Sequence, residues 1–293
     1  MIQAAFTSHD NQKIICSVWD DVAHPIGIVQ IVHGMDEDVY RYNNFARFLN
    51  KNGYIVCGDD HRGHGRTAKI EDGTYKHKDV FNDTVLDELE ILKHLKTKYR
   101  LPVYLFGYGY GGFIARKMLA QTKMYSAGVC VTGRARYSRV ALMIAKYVAW
   151  AGKCLRGARS DAKLIEAWMP VPGIISGPYK TKYNGHEDVK RQIMQHRHKC
   201  FSNGFYYSLF KNMLQSDCNK VNETSLLVIS NGDDVAAQKG KLGRNLYNAY
   251  KTSDLRKLTL IIYTNVKHDL LFDINWENAQ NDILDFFRQN ASR

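Results

Sequence analysis

Leu105-Phe106-Gly107-Tyr108-Gly109-Tyr110-Gly111-Gly112 stands between an apolar run and a helical pattern, and its reading decides the fold. Glycines at positions 107, 109 and 111 follow a strand-like segment at 103–106 and precede a helix-like one at 112–121. This is the context of a nucleophile elbow, G-x-S-x-G, in which a sharp strand-to-helix turn lifts a serine above the end of a parallel sheet and the flanking glycines allow the tight packing. Here the serine position is Gly109. Taken alone, the stretch could equally be a chance glycine-rich turn, so its neighbours must decide.

Working outward, the segments 2–7 and 13–19 are short, partly alternating runs joined by a polar turn, which predicts a hairpin. The run 27–32 is aliphatic but for Gln30, as in a parallel strand buried on both faces. Tyr42, Phe45, Ala46, Phe48 and Leu49 recur at helical spacing and stop at Asn52-Gly53. A strand at 55–57 follows, then the segment 59–65, which its polarity assigns to a surface loop. Val85, Leu86, Leu89, Leu92 and Leu95 form the apolar stripe of a helix at 82–99. After a strand at 127–131 the pattern changes, and strands resume only at 225–230 and 258–263, with helices at 239–251 and 276–289. Strand-helix alternation of this kind implies an α/β fold with a mostly parallel central sheet flanked by helices. The core is expected at 1–133 and 223–293, and 134–222 is expected as a helical insertion above the C-terminal ends of the strands.

The formal net charge is +12, and from Arg134 to Asp217 there are 15 Lys and Arg against 5 Asp and Glu, so that segment carries +10 of it. Such a concentration favours an anionic surface or ligand. Within it Val140, Ala141, Ile144, Ala145, Val148 and Ala149 make one broad apolar face beside Arg139, Lys146, Lys153 and Arg156. That pattern fits either a helix lying on anionic lipid or a cap helix with its apolar face inward. No stretch approaches the roughly 20 apolar residues of a membrane span, and the start lacks the regions of a signal peptide, which predicts a cytoplasmic protein. The six cysteines show no C-x-x-C spacing and are expected reduced and buried. His196-Arg197-His198-Lys199-Cys200 is read as a solvated basic face, and His61 and His64 as fixing loop geometry, so no metal or cofactor is expected. No nucleic-acid reader motif accompanies the charge, so no nucleic-acid partner is expected.

Acyl transfer on this architecture needs a nucleophile, an acid and a base in the chain order Ser, Asp, His, with backbone N–H donors for the oxyanion. Asp234 follows the strand at 225–230 and His268 the strand at 258–263, both in loops at strand C-termini. Two further stretches then carry a family resemblance. His33-Gly34-Met35-Asp36-Glu37-Asp38-Val39-Tyr40-Arg41-Tyr42 resembles the H-G-x-x-E-H-x-x-R-Y motif of monoacylglycerol lipases and bacterial lysophospholipases of the α/β-hydrolase fold, and Asp60-His61-Arg62-Gly63-His64-Gly65-Arg66-Thr67 resembles their D-x-R-G-H-G-x-S/T loop. The resemblance implies an α/β-hydrolase with 134–222 as a lid over an acyl pocket. It implies Met35 and Tyr110 N–H groups as the oxyanion hole, Asp234 as acid, His268 as base, and an acyl-lipid or other small ester as ligand.

Two departures stand out. Asp38 replaces a histidine, and Gly109 replaces the nucleophile. Deleting a triad serine in a related chemistry costs on the order of 10⁶ in turnover. Tyr108 and Tyr110 flank the turn, but a phenol with a pKa of about 10 is a poor nucleophile at neutral pH. Three readings follow: an ester-binding protein without serine catalysis, a hydrolase that uses water activated by His268 and Asp234, or an interaction module whose basic lid docks on anionic membrane or protein.

Overall fold

The structure of the chain, a computed structural model, describes residues 1–35, 37–70, 79–132, 139–168, 201–215, 223–232, 239–264, 270–272 and 276–291. Eight strands form one sheet: β1 Ile2–Thr7, β2 Lys13–Trp19, β3 Gly27–Val32, β4 Tyr54–Asp60, β5 Val103–Gly109, β6 Tyr125–Thr132, β7 Ser225–Asn231 and β8 Lys257–Tyr263. Their spatial order is β1-β2-β4-β3-β5-β6-β7-β8. The first two pair antiparallel with each other, and β2 pairs antiparallel with β4. All remaining pairs are parallel.

The central strands are apolar on both sides because helices cover both faces. Val29 and Ile31 of β3 and Tyr104 and Phe106 of β5 pack with Phe45, Ala46 and Leu49 of α1 (Asn43–Lys51) and with Ile283 and Phe287 of α9 (Trp276–Gln289). The alternate residues Ile28, Val32, Val103 and Leu105 pack on the other side with Val85, Leu89 and Leu92 of α3 (Val80–Tyr99) and Ile114 and Met118 of α4 (Tyr110–Leu119). The period-2 side-chain alternation of a strand thus divides the interior into two cores.

The expectation for the segment 59–65 is overturned. Strand β4 runs on to Asp60, and Asp59, Asp60, His61, Arg62 and His64 are all buried. Asp60 and Arg62 tolerate burial because partners of opposite charge lie within the protein. The buried side of α3 differs as well: Leu86 is only half-buried, whereas Asp87 and Glu88 are fully buried.

Within 134–222 the described elements are α5 (Arg139–Arg156), α6 (Lys163–Trp168) and α7 (Asn203–Met213), and the helical pattern at 188–198 and the His196 to Cys200 cluster lie outside the described residues. Leu142, Ala145 and Ala149 are the inward side of α5 and share a core with Phe205, Tyr206 and Leu209 of α7. The single broad apolar face expected of α5 is therefore split, since Val140 and Ile144 turn outward, 59% and 46% exposed. Helix α7 is tied to the core at the start of α3, where the Asp79 carboxylate caps Asn82 N–H and accepts from Lys211 Nζ (2.6 Å), Ser208 Oγ (2.5 Å) and Asn212 Nδ2 (3.0 Å). Burial works against that carboxylate, but the Lys211 and Ser208 bonds outweigh it and hold its pKa below the ordinary range.

Cys16, Cys57 and Cys130 are buried free thiols, whereas Cys154 on α5 is exposed, because its position faces away from α7; Cys200 and Cys218 lie outside the described residues. Among the described residues no helix is long and apolar enough to cross a membrane.

Candidate active site

Strand β5 ends at Gly109 and α4 begins at the next residue, so the reversal is made at one position. Gly109 has φ +55° and ψ −112°, a conformation that glycine adopts without a Cβ penalty. Its neighbours show why the turn is so compact. A Cβ on Gly107 would lie 2.6 Å from Ala115 Cβ, and one on Gly111 only 2.0 Å from the Val32 carbonyl oxygen and 2.4 Å from that of His33. These contacts bring the first turn of α4 against the end of β3. Position 109 is the reverse case, since no atom of the described residues lies within 4 Å of a Cβ built there. A side chain there would project from the apex clear of the described residues.

The two flanking tyrosines point elsewhere. Tyr108 belongs to the core on the α1 side and meets Tyr42 edge-on at 6.3 Å. Tyr110 belongs to the other core, among His64 (5.9 Å), Phe81 (5.8 Å) and Phe205 (5.6 Å), and burial pushes its phenol pKa up. The Tyr110 hydroxyl is therefore not activated for attack at neutral pH.

The loop after β3 is locked by its own motif. His33 accepts the His61 backbone N–H at Nε2 (3.1 Å), so its Nδ1 carries the proton and donates to the Gly34 carbonyl (2.7 Å). Burial pushes the His33 pKa down to about 3, which keeps the ring neutral across the working range. Glu37 pairs with Arg41 (2.8 Å) and accepts from the Tyr42 hydroxyl (2.9 Å), so the acidic, basic and aromatic residues of the stretch interlock. Asp38 accepts Arg41 N–H (3.3 Å) and caps the 3-10 turn Val39–Tyr42.

Asp60 joins the second motif to the first by accepting from Val39 N (3.1 Å) and from Arg66 N (2.8 Å) and Nε (2.6 Å). Arg62, fully buried, donates from Nε and Nη2 to both oxygens of Asp87 (2.6 and 2.7 Å), from Nη1 and Nη2 to Asp10 (2.6 and 2.8 Å), and to Ser8 Oγ (2.9 Å). Beneath them, His61 stacks on His33 with ring centroids 3.8 Å apart. Its Nδ1 lies 2.7 Å from Asp59 Oδ1 and 3.4 Å from Glu88 Oε1. Glu88 Oε2 accepts from Gln30 Nε2 (2.5 Å), and Gln30 Oε1 accepts from the Tyr125 hydroxyl (2.7 Å). Burial, followed by the Asp59 charge, raises the Glu88 carboxyl well above the usual range.

The structure thus brings Gly109 and Tyr110 to the head of α4, beside the β3 end that leads to half-buried Met35. Asp234 and His268 lie outside the described residues; in the chain they follow the C-terminal ends of β7 and β8, which continue the parallel sheet beyond β6. The sequence reading passed over Asp87 and Glu88. Glu88 falls three residues after Val85 and four before Leu92, on the apolar stripe, and that placement was the available signal of a buried acid.

Residues 23–275 match the family described as serine aminopeptidase, S33, a hydrolase family. The chain belongs to this family. Among its sequence relatives, it is 33% identical over 107 residues to the monoglyceride lipase homolog of Monkeypox virus, covering 36% of this chain and 37% of that one. It is 31% identical over 121 residues to human monoglyceride lipase, covering 41% and 39%. The matched stretches therefore span well under half the length of these relatives. In three dimensions a carboxyl esterase from Bacillus coagulans, in complex with glycerol, superposes over 99% of both chains with a TM-score of 0.83 at 21% identity. The fold is that of an α/β-hydrolase, and the chain is a monoglyceride-lipase-like member of the hydrolase family.

Proposed function

We propose that this hydrolase-family protein binds an acyl-glycerol or other small acyl ester and does not cleave it through a serine nucleophile. The observation that carries the reading is Gly109, at φ +55° on the apex of the strand-to-helix turn, where a nucleophile would project clear of the described residues. The proposed roles of the other groups are those of an acyl-transfer site, with Met35 and Tyr110 N–H groups as oxyanion donors, Asp234 as acid and His268 as base. The relatives named for monoglyceride hydrolysis support an ester as ligand. An uncleavable ether analogue of monoacylglycerol should bind in calorimetry, while p-nitrophenyl esters turn over no faster than the roughly 10³–10⁴ over water left when a triad serine is deleted. Absence of binding, or serine-hydrolase rates in the wild type, contradicts the proposal. In an alternative version a water at the nucleophile position is deprotonated by His268, and the residual turnover then disappears in His268→Ala.

A second reading adds to the first. Val140, Met143, Ile144, Tyr147 and Trp150 lie along the outer side of α5, each at least 39% exposed, with Lys146, Lys153 and Arg156 on the same helix. Exposed apolar residues at helical spacing among bases favour peripheral contact with an anionic bilayer. Vesicles containing phosphatidylserine should co-sediment the protein in a salt-sensitive way, and Trp150→Glu should weaken this; equal partition to neutral and anionic vesicles counts against it.

A further inference from the structure

We propose that Asp59, His61 and Glu88 form a buried binding site for a single zinc ion, placed beneath the two loop motifs. One ligand atom from each lies within 4.8 Å of the others, and all three residues are fully buried. Both oxygens of Asp59, both ring nitrogens of His61 and Oε1 of Glu88 have no hydrogen-bond partner, although Asp59 and His61 approach to 2.7 Å. The imidazole Nδ1 is thus aimed at the Asp59 and Glu88 oxygens inside the cluster. A fully buried imidazole and two carboxyl groups in this condition are costly, and groups left so deserve a missing partner.

The donor set identifies the partner. Two carboxylates and a neutral imidazole cancel the charge of a divalent cation and leave the interior uncharged. Imidazole with carboxylate suits zinc, whereas magnesium retains several waters that a fully enclosed site does not offer. Zinc–ligand distances of about 2.0–2.2 Å place tetrahedral ligand atoms about 3.3 Å apart, close to the 3.4 Å between His61 Nδ1 and Glu88 Oε1. A turn of the Asp59 carboxylate by a few tenths of an ångström would bring its shorter contact with His61 to the same spacing. Metal binding would release to solvent whatever proton the carboxyl groups carry, and the ion takes its place.

The ion would act as a positioning element. His61 stacks on His33 and donates its backbone N–H to it, and His33 fixes the Gly34 carbonyl ahead of Met35. A metal that fixes His61 therefore steadies the loop after β3 from below, on the Glu88 side chain of α3.

The full chain, produced in zinc-supplemented medium and purified without chelator, should contain about one zinc per chain by mass spectrometry, and Glu88→Gln should contain at least about tenfold less. Because removing a buried carboxylate can itself unfold a protein, the wild type alone gives a second measure. Chelator-stripped protein should melt lower and regain its Tm with Zn²⁺, and Co²⁺ in its place should give d–d absorption bands. Wild type that carries no metal, shows no Zn²⁺-dependent Tm and no Co²⁺ bands overturns the proposal. So does a Glu88→Gln protein as stable as the wild type and equally indifferent to Zn²⁺, which is the behaviour of a carboxyl pair sharing a proton.

Discussion

Replacing Gly109 with serine is expected to raise hydrolysis of short acyl esters by about 10³-fold or more over the wild type. Deleting a triad serine elsewhere costs on the order of 10⁶, and the smaller figure allows for imperfect alignment with His268 and Asp234. Sterically the change is open, because nothing in the described residues lies within 4 Å of the new Cβ. The backbone at φ +55° is unfavourable for any other residue and should cost about 1–3 kcal/mol of stability. A modestly lower Tm should therefore accompany the gain in activity. Initial rates with p-nitrophenyl butyrate for the two proteins read the effect. A stable Gly109→Ser protein with no gain would mean that the proposed oxyanion donors, acid or base do not converge on the apex.

The second large effect is structural. Arg62→Ala is expected to destabilise the protein by about 3–5 kcal/mol, the range for breaking a buried pair by removing one partner. Arg62 is fully buried and supplies the donors that satisfy both oxygens of Asp87, itself inaccessible, as well as Asp10 and Ser8. Burial raises the Asp87 pKa even with the guanidinium beside it. In the variant Asp87 must take up a proton or remain an unpaired charge, so the loss should be largest near neutral pH and shrink in acid. With a few degrees per kcal/mol for a chain of this size, Tm should fall by roughly 10 °C, and a fall of under two degrees would refute the assignment. Arg62→Lys keeps the charge without the planar fork and should recover only part of the loss.

Where local chemistry dictates structure, the sequence was readable. The β1–β2 hairpin spans the residues its alternation predicts, and β3 is buried along its whole length as its largely aliphatic run predicts. The elbow was legible because glycine spacing and strand-helix context coincide. What could not be read depends on partners distant in the chain. Arg62 is tolerated inside because Asp10 and Asp87 meet it from 52 and 25 residues away, so a polar segment that looked like surface became core. In the same way, which side of α5 faces inward is set by α7 packing on Leu142, Ala145 and Ala149, information that the apolar pattern of α5 alone does not contain.

The most direct measurement is the intact mass of wild type and Gly109→Ser after incubation with a fluorophosphonate, which modifies only an activated serine. A protein whose elbow keeps its shape but lacks its nucleophile should leave the wild type unmodified and give the variant one adduct, mapped to position 109. An adduct on the wild type at any serine, or an unmodified but folded variant, would contradict that account.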